Sequence, residues 1–491
     1  MTGIMKSKIK SIIMAVFAAA SLTSCLGQLD VIQNGIIDSN SMWKSEDDFK
    51  AGMYGCFYSF RAAYKTNLTY WGDFRSGVIG KGLGAFNGTA HVNNKLNSSE
   101  GKGTNWESLY KCINDCNVAL KHVDDITWTN ETFRNELMAN CHFLRAYCYF
   151  TIARVWGDAP IMLAGVESSA QDDLFPSRED VNKIYELIET DLDKAIDLMP
   201  ESATDRTTGS RAAVNMLRAD YYLWMYRTRS AGAEALAKAE TAVDAVLGDE
   251  NYGLLDSYAD VFDINNEQNK EIILALPFTK ITEQVSVFYD DYLIPSSKYA
   301  DADYYRDNDI VKTGSQDQWY SFSEVFQKFI YENPSDTRAT TSFMIFTVPE
   351  TGTTYSWINK FPGEWENGVR YFTSDIPLYR YAEAVLFKAE VENERGGDPL
   401  PWLNMIAKRA YGREMYGNMS YDGMNEAIFN ERLKEFTAEG KSWWDYIRFG
   451  YVFTKIPSLK GRQNETNILL WPIAADCFSD NPNIRQTLGY N

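Results

Sequence analysis

The chain has 491 residues and a formal net charge of −19, with 67 acidic residues against 48 basic ones. So acidic a composition argues against nucleic acids and other polyanions as partners, because each phosphate contact needs a lysine or an arginine. The length is sufficient for a large hydrophobic core and, on length alone, for two or three domains.

The N-terminal segment has the composition of a secretory signal peptide. Its only charged residues before Asp30 are three lysines within residues 6–10, and an apolar run over residues 12–22 follows them. That run is shorter than the about 20 residues that a helix needs to cross a bilayer. The pattern therefore predicts a cleaved leader over residues 1–24.

A lipid-attachment motif ends this leader. Leu22-Thr23-Ser24-Cys25 resembles the bacterial lipobox, in which small residues admit the peptidase and the cysteine sulfur receives a diacylglycerol. Two or three acyl chains anchor a protein stably, because each buried CH₂ contributes about 0.8 kcal/mol. The motif predicts lipid attachment at Cys25 and membrane contact through that anchor. An ordinary cleavable signal that contains a cysteine is the alternative.

Helical periodicity dominates the rest of the chain. Apolar residues recur every three or four positions, and glycine or proline follows several of the runs. Alanines such as Ala146, Ala213 and Ala382 allow close helix contacts. We therefore predict antiparallel helix pairs of a degenerate tetratricopeptide-like solenoid. The predicted helices are 106–123, 136–155, 178–199, 212–227, 233–247, 378–394, 401–413 and 424–439.

Two regions break the helical pattern. Residues 64–104 are rich in glycine, asparagine and serine, and residues 278–368 are dense in tyrosine, tryptophan, aspartate, glycine and proline. A short strand is predicted before the second region, over residues 272–276. Long irregular insertions on a helical scaffold often carry function, so we expect the ligand surface there.

The cysteines and histidines do not form a recognisable metal site. Six cysteines follow Cys25, and the spacing of Cys112 with Cys116 and of Cys141 with Cys148 suits helix faces rather than disulfides. The three histidines make no tight cluster with them. We predict buried thiols, no metal and no cofactor.

Three glutamates at four-residue spacing fall on one face of the last predicted helix. Paired carboxylates can serve as acid and base in glycoside hydrolysis. The favoured interpretation is structural, with the glutamates paired to nearby cations. The carboxylates are Glu431, Glu435 and Glu439, and the expected partners are Arg432, Lys434 and Arg448.

Four ordered motifs resemble those of the SusD/RagB family of Bacteroidetes outer-membrane lipoproteins. They lie in the helices and in the C-terminal tail, and with the lipobox they extend over nearly the whole chain. The motifs are Phe143-Leu144-Arg145-Ala146-Tyr147 running on to Gly157-Asp158-Ala159-Pro160, Tyr379-Arg380-Tyr381-Ala382-Glu383-Ala384, Glu431-Arg432-Leu433-Lys434-Glu435-Phe436 with Trp444-Asp445-Tyr446-Ile447-Arg448, and Leu470-Trp471-Pro472-Ile473 through Asn481-Pro482 to Gly489-Tyr490.

The resemblance implies an all-α fold on four tetratricopeptide-like pairs, with an irregular ligand lobe and minor β structure. It implies one domain over 25–491, with scaffold at about 40–63, 105–255 and 375–450 and a ligand lobe at about 64–104 and 278–368. It also implies a non-enzymatic lipoprotein at the cell surface that passes an oligosaccharide to a SusC-like TonB-dependent transporter. A peptide-binding lipoprotein of the same family is one alternative, and a surface-anchored carboxylate-dependent glycosidase is the other.

Candidate ligand residues come from the composition of the two irregular regions. Sugar rings stack on aromatic faces, while amides, carboxylates and guanidinium groups bind the hydroxyls. Ordinary partial burial is the alternative explanation for each of them. The candidates are Trp71, Asp73, Arg75 and Phe86 in the first region, and Tyr292, Tyr304, Tyr305, Trp319 and Tyr320 in the second.

Overall fold

A long first helix, α1, spans Glu46–Gly72. A capping box begins it: the Asp48 N–H donates to Ser45 Oγ at 3.2 Å, and the Ser45 N–H donates to Asp48 Oδ2 at 2.9 Å. The helix ends against a C-terminal turn, where a Cβ on Gly72 would lie 1.9 Å from the carbonyl oxygen of Gly440. Only glycine permits this approach.

The computed structural model describes residues 42–82, 90–281, 318–347, 352, 354–367 and 369–490. Ser45–Asn491 forms one compact unit, and the fold described is that of this unit. Among the helices in these ranges, none has an apolar stretch long enough to cross a membrane.

The other helices follow α1 in two groups separated by irregular chain. The first group is α2 Glu107–His122, α3 Glu131–Trp156, α4 Val181–Leu198, α5 Arg211–Arg229 and α6 Gly232–Leu247. The later helices are α7 Glu324–Ile330, α8 Arg338–Ser342, α9 Tyr381–Arg395, α10 Leu400–Tyr411, α11 Tyr421–Glu435, α12 Ser442–Arg448, α13 Val452–Lys455 and α14 Ala475–Asp480.

Neighbouring helices pack in pairs along the chain. The pairs are α1 with α2, α3 with α4, α5 with α6 and α9 with α10. The prediction of an all-α fold built on helix pairs is thereby confirmed.

Helix α3 lies at the centre of this scaffold. Every residue from 139 to 156 is buried, so the helix has no solvent-facing stripe in this stretch. Arg145 within it donates to both carboxylate oxygens of Asp191 on α4, at 2.7 and 2.8 Å. His142 Nδ1 lies 2.8 Å from Asp191 Oδ1. One carboxylate on α4 therefore binds two side chains of α3.

The β structure of the described chain consists of small antiparallel pairs: β1 with β3, β2 with β8, β4 with β5 and β6 with β7. The expectation of minor β structure is confirmed. The strands are β1 Ile79–Lys81, β2 Ile272–Leu276, β3 Tyr320–Phe322, β4 Phe343–Thr347, β5 Thr354–Ile358, β6 Glu364–Glu366, β7 Val369–Tyr371 and β8 Ile376–Arg380.

Several predicted boundaries need correction. The strand at residues 272–276 is confirmed. The predicted loop region is wrong over residues 64–72, which continue α1, because Tyr64 and Trp71 are buried there. The helix predicted from residue 378 begins instead at Tyr381, since residues 378–380 belong to β8 and pair with β2.

Candidate ligand groove

An open groove of about 770 Å³ lies where the two irregular regions meet the C-terminal helices. Its walls are residues 76–81 with 92–93 and helix α7, and α11, α12 and residues 455–458 form its floor. The volume falls in the range of about 300–1,000 Å³ that is typical of small-molecule pockets. We refer to this surface as the groove.

Backbone contacts around one serine fix the two walls relative to each other. The Ser323 N–H donates to the Val78 carbonyl at 2.8 Å, and Ser323 Oγ donates to the Gly77 carbonyl at 2.7 Å. The same hydroxyl caps α7 by accepting from the Phe326 N–H at 3.2 Å. A Cβ on Gly80 would lie 3.2 Å from Ser323 Cα, so glycine allows β1 to lie this close.

Helix α7 presents an apolar surface to the groove. Val325 lines the groove and is 74% exposed. Phe329 is half-buried, and the ammonium group of Lys434 lies 4.7 Å from its ring centroid. Phe326 is buried and holds the helix onto the protein, with its ring centroid 6.1 Å from that of Phe343.

An aromatic cluster supports the floor. The buried Phe429 ring makes edge contacts to Tyr446 and Tyr451, each at a centroid distance of 4.9 Å. Tyr446 lines the groove and is half-buried, and burial raises its pKa to about 12. The phenol is therefore neutral at physiological pH and can both donate and accept hydrogen bonds.

The groove also carries polar groups that the protein itself does not use. Within the described ranges, the side-chain amides of Asn93 and Asn430 make no hydrogen bond, although both residues line the groove. Each amide offers two donor hydrogens and one acceptor oxygen. Two amides in the same groove as the half-buried rings of Phe329 and Tyr446 suit a ligand with apolar faces and hydroxyl edges.

The structure removes Trp71 and Asp73 from the candidate ligand residues. Trp71 is only 2% exposed, and its Nε1 donates to the Gly103 carbonyl at 2.8 Å. Asp73 is buried and accepts from the Gly440 N–H at 2.9 Å and from Ser442 Oγ at 2.7 Å. Both predictions are wrong, because these residues hold the end of α1 against the C-terminal turn.

Arg75 is also structural. Its buried guanidinium donates to the carbonyls of Leu469 at 3.1 Å and Leu470 at 2.9 Å, and to Asn94 Oδ1 at 2.7 Å. It lies 4.5 Å from the ring centroid of Trp443. With its donors satisfied internally, Arg75 clamps the C-terminal segment, and its prediction as a ligand residue is wrong.

Tyr320 is buried on β3, opposite Lys81 of β1, and makes an edge contact of 4.4 Å with the Phe74 ring. Burial in the sheet interface contradicts its prediction as a ligand contact. Trp319 is half-buried, with the ammonium of Lys102 4.6 Å from its ring centroid, and is absent from the described lining of the groove. As a ligand residue, Trp319 stays a prediction.

Five other predicted residues lie outside the described ranges. Their assignments, as lipid-attachment site or ligand contacts, stay predictions. They are Cys25, Phe86, Tyr292, Tyr304 and Tyr305.

The three spaced glutamates lie in the core, as part of a buried ion-pair network. Glu431 accepts from Arg338 Nη1 at 2.7 Å, and Glu435 accepts from Arg380 Nη1 at 3.0 Å. Glu439 accepts from Arg380 Nε at 2.8 Å. The structural interpretation is confirmed. The predicted partners are wrong, because the cations come from α8, β8, α10 and Lys360 rather than from the same segment.

Glu435 lacks the properties of a catalytic acid. Burial alone would raise its pKa, but the guanidinium groups of Arg409 and Arg380 outweigh that effect and lower the pKa to about 2. A carboxylate that stays ionised at neutral pH cannot protonate a leaving group. Its full burial also prevents contact with a polysaccharide.

Sequence reasoning missed most groove residues. Asn430 and Tyr446 lie on scaffold helices, Asn430 directly before a family motif and Tyr446 within one, so a search of irregular regions could not find them. Val325 and Phe329 fall in the second irregular region. Their four-residue spacing could have indicated one apolar face of a short helix there.

Two family models match the chain. The first, described as starch-binding associating with outer membrane, matches residues 79–223. The second, described as the SusD family, matches residues 219–490, which is more than half of the chain.

Full-length relatives and solved structures agree with these matches. SusD-like protein P38 of Formosa agariphila is 22% identical over 96% of this chain and 96% of its own length. Starch-binding protein SusD of Bacteroides thetaiotaomicron is 24% identical over 77% of this chain and 76% of its own. NanU of B. fragilis superposes with a TM-score of 0.83 at 26% identity, covering 94% of this chain and 99% of that chain.

Proposed function

Because the chain belongs to the SusD/RagB family, we propose that it is a cell-surface lipoprotein that binds an oligosaccharide and delivers it to a SusC-like TonB-dependent transporter. The anchor is Cys25, which holds the protein at the outer membrane. The protein binds its ligand without turnover.

The groove is the observation that carries this proposal. It combines the exposed apolar surface of α7, the half-buried Tyr446 and two side-chain amides, Asn93 and Asn430, with no internal hydrogen bond in the described structure. Unused amides and apolar faces are what an oligosaccharide needs for its hydroxyls and ring faces. The starch-binding relative supports a glycan over a peptide as the first choice.

The alternatives have less support. A glycosidase would need an accessible carboxyl pair, whereas Glu431 and Glu435 are buried in ion pairs. A peptide ligand would use the same groove, because amides and aromatic walls also suit peptide groups. A panel that contains both oligosaccharides and peptides separates these two ligand classes.

The mature protein, solubilised in detergent, is screened on an array of oligosaccharides and peptides, and the best ligand is then titrated calorimetrically. Asn430→Ala should weaken binding about tenfold through loss of hydrogen bonds to the ligand. The matched control is Asn418→Ala, since Asn418 is exposed outside the groove. Binding of peptides alone, release of a cleaved glycan, or equal affinity of the two variants would each contradict the proposal.

A further inference from the structure

The groove differs in charge from the chain as a whole. The net charge of the chain is −19. Among the described residues that line the groove, two are lysines, Lys81 and Lys455, and none is an aspartate or a glutamate. A groove lined by positive charge on an otherwise acidic protein attracts a negatively charged ligand group to that surface.

The two lysines are not equivalent. Lys455 forms an ion pair with Glu426 on α11, which compensates its charge. Lys81 is exposed at the end of β1 and makes no ion pair within the described part of the chain. Its ammonium group therefore has three donor hydrogens available to a ligand.

The backbone around Lys81 is held in place. Lys81 pairs with Tyr320 across the β1–β3 sheet, and the next residue, Gly82, donates its N–H to the Trp319 carbonyl at 2.9 Å. Ser321 Oγ also donates to the Lys81 carbonyl at 3.1 Å. The charge is thus carried on a fixed strand of the groove wall that also includes Asn93.

We propose that the groove selects a glycan that bears a negatively charged group, a carboxylate or a sulfate ester, and that Lys81 makes the charge contact. The inference rests on the proposed function and names the ligand class of the same groove. A charge-assisted hydrogen bond from an ammonium donor is stronger than a neutral one. A ligand with one acidic group needs only one such contact. A polyanion would need many, and the acidic surface of the whole chain disfavours it.

The test uses an array of matched oligosaccharides, each present as a uronate, as its carboxyl-reduced neutral form and as a sulfated neutral form. The mature protein in detergent should bind an acidic member about tenfold more tightly than its neutral counterpart. Comparison of the uronate with the sulfated form identifies which acidic group the groove prefers.

Point variants then locate the contact. Lys81→Gln should abolish the preference for the acidic member and Lys81→Arg should retain most of it, while both keep the melting temperature because the side chain is exposed. The matched control is Lys328→Gln, on α7 but outside the groove lining. Glu426→Gln should tighten acidic binding, since it frees Lys455 from its ion pair.

The outcomes separate the inference from the proposed function. Equal or better binding of the neutral members overturns the charge inference and leaves the function intact. A preference for acidic members that survives in Lys81→Gln overturns the assignment to Lys81. Failure to bind any oligosaccharide of the array overturns both.

Discussion

Arg380 and Glu435 form a buried ion pair across the C-terminal scaffold, with Nη1 of the arginine 3.0 Å from Oε1 of the glutamate. The arginine ends strand β8 and the glutamate ends helix α11. Arg409 of α10 contacts the same carboxylate at 2.5 Å. Together with Arg409 the pair therefore joins strand β8 to helices α10 and α11, and two family motifs supply Arg380 and Glu435.

Glu435→Gln should destabilise the protein by about 3–5 kcal/mol, because it leaves buried arginine charge uncompensated. Thermal or denaturant unfolding measures this loss. The control is Glu465→Gln, which breaks a solvent-exposed pair with Arg462 and should leave the unfolding transition almost unchanged, because water screens the pair. Ligand affinity per folded molecule should persist in both variants, so an unchanged melting temperature with lost binding would assign Glu435 to the ligand site.

The lowered pKa of Glu435 predicts that the protein loses folding stability at low pH. The folded-state pKa of Glu435 is lowered to about 2 from its ordinary value of 4.5. A lowered carboxyl pKa stabilises the folded state above the unfolded value, and this stabilisation is lost as pH falls from about 4.5 to 2. The melting temperature of the wild type should fall over that interval, and more steeply than that of Glu435→Gln. Parallel profiles would contradict the prediction.

Glu267 should reduce the folding stability as the pH rises, in contrast to Glu435. Burial and the nearby Asp375 carboxylate raise its pKa to about 8. Its ionisation therefore disfavours the folded state increasingly as pH rises from about 4.5 to 8. Glu267→Gln should raise the melting temperature at pH 8 relative to the wild type and change it little at pH 4.5. A variant whose effect is the same at both pH values would show that Glu267 titrates normally.

Some of this structure could be predicted from the sequence. The strand at residues 272–276 and the paired helices follow local periodicity, which short segments carry by themselves. The extension of α1 to Gly72 could not be predicted, because its aromatic and β-branched residues have modest helix propensity and are helical only through burial.

The site was harder to predict because it depends on contacts between distant segments. Trp71 and Arg75 had the composition of sugar-binding residues, yet the end of α1 and the C-terminal tail bury them. Asn430 and Tyr446 line the groove from helices that the motifs identify as scaffold. The composition of a loop does not show which of its side chains stay accessible to a ligand once the chain has folded.

The anchor gives an independent prediction. Cys25→Ala should abolish acylation and release the protein from the membrane fraction, because the buried acyl chains supply the membrane affinity. Incorporation of labelled palmitate and membrane fractionation measure the two effects, and Cys477→Ala serves as a control at a buried cysteine far along the chain. Equal labelling of the wild type and Cys25→Ala would contradict lipid attachment at Cys25.

Hydrogen–deuterium exchange of the mature protein, with and without the best oligosaccharide of the array, tests the central claim most directly. Ligand contacts in the groove should slow exchange in residues 76–81, in α7 and at the end of α11, while peptides from α4 and α6 keep their rates. The ligand should be recovered intact by mass spectrometry. Slowed exchange confined to segments outside the groove, or recovery of cleaved products, would contradict the account.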